Sequence, residues 1–238
     1  MDNAIYTTLT RQSGLMREMQ VLANNIANAS TTGFRQENVV FSEHIERVAG
    51  GSSLSMATAA VRHTSMLQAG LTQTGGPLDL AIEGEGFFLI DTPQGQRLTR
   101  AGHFSTSAEG ELVTADGHRV LDSGGAPVFL PPDAGALSVA ADGTLSANGV
   151  PLSQIGLVVP RDPTSLIRET GLLFRANDEF EPADTGRILQ GFLESSNVEA
   201  IGQIARMIEV QRAYEMGQQL LNDEDERISK TVDAMRRR

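Results

Sequence analysis

From Asn197 to the C-terminus the chain contains no proline, and Met207, Tyr214, Leu221, Ile228 and Met235 return every seven residues. A seven-residue apolar period marks one line along a helix, so this stretch predicts a single C-terminal helix of about 40 residues. With a rise of about 1.5 Å per residue, such a helix runs roughly 60 Å, longer than a small domain can cover. Ile201, Ile204, Ile208, Val210 and Val232 flank the line, whereas the companion heptad positions Gly217, Glu224 and Thr231 are weak. An idealised two-stranded zipper is therefore excluded. Asn197, after Ser195 and Ser196, reads as the N-cap.

The N-terminus follows the same logic on a shorter scale. Ile5, Leu9, Met16, Met19, Ala23 and Ile26 are separated by alternating steps of four and three, with Gln12 as the single polar break. Leu15 and Leu22 widen the stripe. The pattern predicts a helix of about 25 residues, or roughly 38 Å. If the two ends pair, about a third of the longer helix stays uncovered and needs a further partner, because isolated amphipathic helices are marginal in water.

Between the ends the texture is that of strands. LDLAI (Leu78–Ile82) alternates, FFLI (Phe87–Ile90) and IGLVV (Ile155–Val159) are continuous apolar runs, and Glu109-Gly110, Asp116-Gly117, Asp142-Gly143 and Asn148-Gly149 punctuate the stretch. Such pairs supply the positive φ angles that tight hairpins require. The chain thus reads as α+β, with long N- and C-terminal helices pairing as a coiled-coil-like bundle and an inserted antiparallel β-rich domain. Its expected divisions are an N-terminal helix at 1–34, an extended connector at 35–75, a β-rich domain at 76–190 and a C-terminal helix at 191–238.

Charge separates the same regions. Of the net −11, residues 76–196 carry −10, while the two ends are almost balanced. A chain this acidic lacks the basic face that nucleic acid requires. No apolar run reaches the roughly 18 residues of a membrane span, so no membrane insertion is expected. The first thirty residues show no secretory signal pattern. Cysteine is absent, which removes disulfides and thiolate metal ligands.

A search for catalytic chemistry yields nothing convergent. Gly84-Glu85-Gly86 lacks the third glycine of a dinucleotide fingerprint and precedes a strand rather than a helix, so it reads as a tight turn. His44, His63, His103 and His118 form no His-x-x-x-His pair. Glu83, Glu85 and Asp91 are explained as scattered surface acids, and Arg97 and Arg100 as solvated or ion-paired. A cell-wall hydrolase would require two converging carboxylates. No enzyme, metal or cofactor is expected.

The stretch ANNIANASTTGF (Ala23–Phe34) places Asn24, Asn25 and Asn28 at the end of a helical pattern, where asparagine is a mediocre helix former. These amides can satisfy the ends of the helix, or they can hydrogen-bond neighbouring chains in a dense assembly. Gly33 is placed to adopt the left-handed conformation that follows a helix. The segment resembles the signature of the flagellar rod and hook family. GFLESSNVEAIGQIARMIEVQRAY (Gly191–Tyr214), and DLAIEGEGFFLI with LTRAGHFSTSAEGELVTADGHRVL, resemble two further blocks of that family, in the expected order.

The resemblance implies an axial subunit of the flagellar basal body, crossing the periplasm, exported by the flagellar type III apparatus, and packed against other rod proteins and copies of itself. The opening MDNAIYTTLTRQ and the modest length look most like a proximal-rod member; a distal-rod member is the alternative within the family, and a coiled-coil adaptor with a β binding domain the alternative outside it. The helix and subunit interface is expected at Ile5, Leu9, Met16, Met19, Asn24, Asn25, Ile26 and Asn28, and at Ile201, Ile204, Met207, Ile208, Tyr214, Leu221 and Ile228.

Overall fold

The chain begins with helix α1 (Asp2–Ala27) and ends with helix α2 (Ala200–Arg236), and the segments between them are strands and turns. This computed structural model describes residues 2–46, 54–131, 134–169, 171–176, 180–183 and 185–236, without the side chains of 2–7, 41–46 and 54–62. The chain divides into two compact units. One holds α1, α2 and the strands Glu37–Glu46 and Leu54–Thr64 up to residue 63; the other holds 28–36 and 64–198.

In the second unit, a nine-stranded sheet is organised around Phe87–Thr92. This strand pairs antiparallel with Gly95–Thr99, with Phe88 opposite Thr99, and on its other edge with Arg119–Val120 and Leu157–Pro160. The FFLI run explains its central position, since a strand that is apolar at successive residues suits a site covered on both faces. Phe88 and Ile90 enter one core cluster with Phe104, Val120 and Leu145, whereas Phe87 and Leu89 enter another with Leu98, Leu121 and Phe174. Edge-to-face ring pairs join Phe88 to Phe104 at 5.1 Å and Phe87 to Phe174 at 5.8 Å between centroids.

All four punctuating pairs are turns: Gly110, Gly117, Gly143 and Gly149 each have positive φ, and Asn148 shares it at 52°. Gly84 and Gly86 also have positive φ and turn the chain between the strands Leu80–Glu83 and Phe87–Thr92. Alternation in LDLAI does not mean a half-solvated strand, because Leu80, Ala81 and Ile82 are all buried. That strand pairs with Arg187–Gln190.

Several boundaries differ from the sequence reading. The stretch read as an extended connector contains the strands Glu37–Glu46 and Leu54–Thr64, which pair as a two-stranded ribbon. Leu71–Gln73 pairs with Phe192–Glu194, so the compact β unit extends beyond 76–190 on both sides. Helix α1 ends at Ala27, and α2 starts at Ala200 rather than directly after Asn197. The Asn197 amide is otherwise engaged, its oxygen accepting from the Gln36 N–H and its nitrogen donating to the Leu67 carbonyl at 2.8 Å.

Candidate functional site

Within the first unit, α1 and α2 run antiparallel: Gln12 meets Tyr214, Glu18 meets Arg206, and Asn25 meets Gln203. The side of α1 that is buried is not the apolar line read from the sequence. Leu9 and Met16 are exposed, Met19 and Ile26 are half-buried, and the side chain of Ile5 lies outside the described residues. The buried residues are instead Gln12, Gly14, Glu18, Val21, Leu22 and Asn25. On α2, Val210 is buried and Met207, Tyr214, Leu221 and the weak positions Gly217 and Glu224 are half-buried, while Ile204, Ile208 and Ile228 are exposed and Ile201 is 80% exposed.

The polar side chains supply the cross-helix bonds. Gln12 Nε2 donates to the Tyr214 carbonyl at 3.1 Å, and Arg206 Nε donates to Glu18 Oε1 at 2.8 Å. That bond to Glu18 raises the Arg206 pKa above its ordinary value. Asn25 is fully buried; its amide donates to the Glu37 carbonyl at 2.8 Å and to Gln203 Oε1 at 3.0 Å, and its oxygen accepts from the Glu37 N–H at 3.0 Å. It thus joins α1 to the ribbon and to α2 inside one chain, beyond the end-of-helix role considered for it. Asn24 is exposed, and Asn28 accepts from Thr31 in the turn after α1.

A second cluster lies in the β unit. Arg35 Nη2 lies 3.0 Å from Glu194 Oε1, and Arg100 Nη1 lies 3.5 Å from Glu194 Oε2, all three side chains being buried. Arg35 also donates to the carbonyls of Met66 and Leu67, and Arg100 to those of Ile82 and Gly84. Burial lowers the pKa of both guanidinium groups, Arg100 to about 10, and the Glu194 carboxylate opposes that shift. Gly33 fits the same node: its φ is +73°, its N–H donates to the Glu194 carbonyl, and an added Cβ would lie 2.4 Å from the Ala101 nitrogen. Its positive φ therefore serves close backbone approach rather than a helix terminus.

Arg35 and Glu194 were absent from the expected site, and Arg100 was read as one of two outcomes, of which ion pairing is the one observed. The available signal was position. Arg35 follows the Thr-Thr-Gly-Phe signature and Glu194 lies in Leu-Glu-x-Ser-Asn-Val, but nothing local reveals that residues so distant in sequence meet. Among the described residues, no three His, Asp or Glu side chains converge as a metal site would need, and no helix is long and apolar enough to cross a membrane.

Comparison with known proteins adds to this geometry. Three family models match in chain order: "Flagella basal body rod protein" over residues 5–35, "Flagellar hook protein FlgE/F/G D1 domain" over 81–147, and "Flagellar basal body rod FlgEFG protein C-terminal" over 189–234. Each matched segment contributes one member of the buried Arg35–Arg100–Glu194 cluster. The chain is 42% identical to the flagellar basal-body rod protein FlgF of Caulobacter vibrioides over 223 residues, covering 90% of each chain. It is 38% identical to FlgF of Mesorhizobium japonicum, again with 90% of each chain covered. The rod protein FlgG of Bacillus subtilis is 33% identical, with 98% of this chain and 99% of the relative covered.

Proposed function

We infer that this chain, which belongs to the flagellar basal-body rod family, is a proximal-rod subunit that polymerises through its two terminal helices. Its role is structural: it is an axial subunit of the flagellar basal-body rod and not an enzyme. The higher identity to two FlgF relatives than to the B. subtilis FlgG supports the proximal position over the distal one. On this reading the partners are other rod proteins and copies of itself, the chain crosses the periplasm, and export runs through the flagellar type III apparatus. A coiled-coil adaptor would share the helices but has no reason to carry three rod segments in order.

One observation carries the polymerisation: the helix pair buries Gln12, Glu18 and Asn25 beside Val21, Leu22 and Val210 while leaving Leu9, Met16, Ile204 and Ile208 in water. The 4-3 spacing of Gln203, Met207, Val210, Tyr214, Gly217, Leu221 and Glu224 supports a coiled-coil-like α1–α2 seam. The exposed apolar residues then remain for neighbouring helices, since an apolar face of this length gains stability only when covered. Replacing Leu9 or Ile204 with Asp in cells tests this. Free protein should keep its circular dichroism and melting, while rods fail to complete and cells do not swim. Normal swimming by both variants would overturn the helices as the polymerising surface.

A further inference from the structure

The contact between Gln12 and Gly217 has the form of a lock. Gln12 is 7% exposed although it is polar and sits at a seam position of α1. Its side chain lies where Gly217 has none: a Cβ added to Gly217 would stand 2.5 Å from Gln12 Nε2. In that notch the amide reaches the Tyr214 carbonyl, and Gln218 Nε2 donates to Gln12 Oε1 at 3.4 Å. Beside it lies a surface cleft of about 220 Å³, lined by Leu15 and Ala213 and by the exposed Met216 and Leu220.

We propose that Gln12, seated in the Gly217 notch, is the residue that fixes the register of α1 against α2. Along the α2 seam, Gln203, Met207, Val210, Tyr214, Leu221 and Glu224 all carry side chains, and only Gly217 leaves room for the Gln12 amide. Sliding the helices by a heptad moves Gln12 from the gap onto Val210 or Glu224, whose side chains keep its amide from the backbone carbonyl that Gly217 leaves open. A buried amide without a partner disfavours that alternative, as a single polar residue does in other helix pairs. The inference concerns one chain and stands whether or not the helices polymerise.

The test measures a distance along the helices. Because the chain has no cysteine, Ser13→Cys and Ala205→Cys give a unique pair of sites for spin labels on exposed positions of α1 and α2. Full-length protein should show one narrow distance by pulsed electron resonance. Gln12→Leu should retain helix content yet add a second distance displaced by most of one heptad's rise, about 10 Å along the axis. Gly217→Leu, which fills the notch, should deplete the original distance. Leu22→Ala, which removes a buried apolar group of the same seam, should lower the melting temperature and leave a single peak. A single unshifted peak in Gln12→Leu, a broad distribution without the Gln12 substitution, or equal splitting by Leu22→Ala would each overturn the proposal.

Discussion

The β unit and the helix unit solve opposite problems. In the former, Phe88, Ile90, Val120 and Phe174 are inaccessible to solvent, and the charges of Arg35, Arg100 and Glu194 that share the interior are ion-paired. In the latter, amides and an ion pair share a small interior with Val21, Leu22 and Val210, and many large aliphatic side chains face water. Burying apolar surface contributes about 25 cal/mol per Å². The β unit takes that contribution within its own chain; the helix unit leaves much of it available. An apolar period therefore has two meanings in one sequence: it marks an internal core in the middle and an unfinished surface at the ends.

The sharpest way to break this comparison is to cut the units apart. Residues 28–198, expressed without either helix, should unfold cooperatively. Trimming further to 76–190 removes Arg35 and Glu194 and leaves Arg100 buried without its carboxylate. Breaking a buried ion pair costs about 3–5 kcal/mol, and loss of the paired strands at Leu71–Gln73 and Phe192–Glu194 adds to it. Guanidinium titrations of the two fragments check this. Equal midpoints would mean that the node contributes little to the β unit.

Next in size is Phe88→Ala in the full chain. Phe88 is completely buried against Phe104, and truncations of this kind cost about 3–5 kcal/mol. The loss should appear in the β-unit transition, with the helix signal at 222 nm unaffected at temperatures below it. Asn25→Ala should do the reverse at smaller amplitude. It abandons three hydrogen bonds and leaves the Glu37 backbone groups without their partner, a cost of about 1–3 kcal/mol. Its effect should fall on the helix signal and spare the β transition.

Much of the fold was legible because local rules and tertiary structure agree there. The four Gly-containing turn pairs, the central FFLI strand and both terminal helices each needed only neighbouring residues to be read. The connector was not legible as a ribbon, since pairing between Glu37–Glu46 and Leu54–Thr64 depends on the partner strand rather than on either strand's composition. On α1 the stripe was read one face away from the side that is buried, whereas on α2 Met207, Tyr214 and Leu221 of the heptad line lie along the seam. Apolar spacing identifies the stripe that is to be covered but not which chain covers it, and here the buried side of α1 went to Gln12, Glu18, Val21, Leu22 and Asn25. Gln12 and Gly217 had each stood out as a defect in its own helix; together they fit. The Arg35–Arg100–Glu194 cluster was illegible for a related reason, since its members lie in three separate segments and each is an ordinary surface residue type.

The smallest effect concerns the ion pair between Glu18 and Arg206 across the seam. Glu18 is buried, but the Arg206 side chain that meets it is 53% exposed, so solvent and salt screen the attraction. Half-exposed pairs of this sort contribute about 0.2–1 kcal/mol. Arg206→Gln keeps a side-chain N–H for the Glu18 carboxylate and removes the charge, along with an exposed bond to Glu209 on the same helix. It should lower the helix-unit melting slightly at low salt, and the difference from the parent chain should close as sodium chloride approaches about 1 M. The β-unit transition should not respond to Arg206→Gln at any salt concentration, because the cations that matter there, Arg35 and Arg100, are enclosed with their carboxylate. Thermal melts of both chains at two salt concentrations, followed at 222 nm for the helices, make the comparison directly. A defect that persists undiminished in high salt would show that the seam excludes water as the β core does, and the contrast between a finished unit and an unfinished one would lose its electrostatic half.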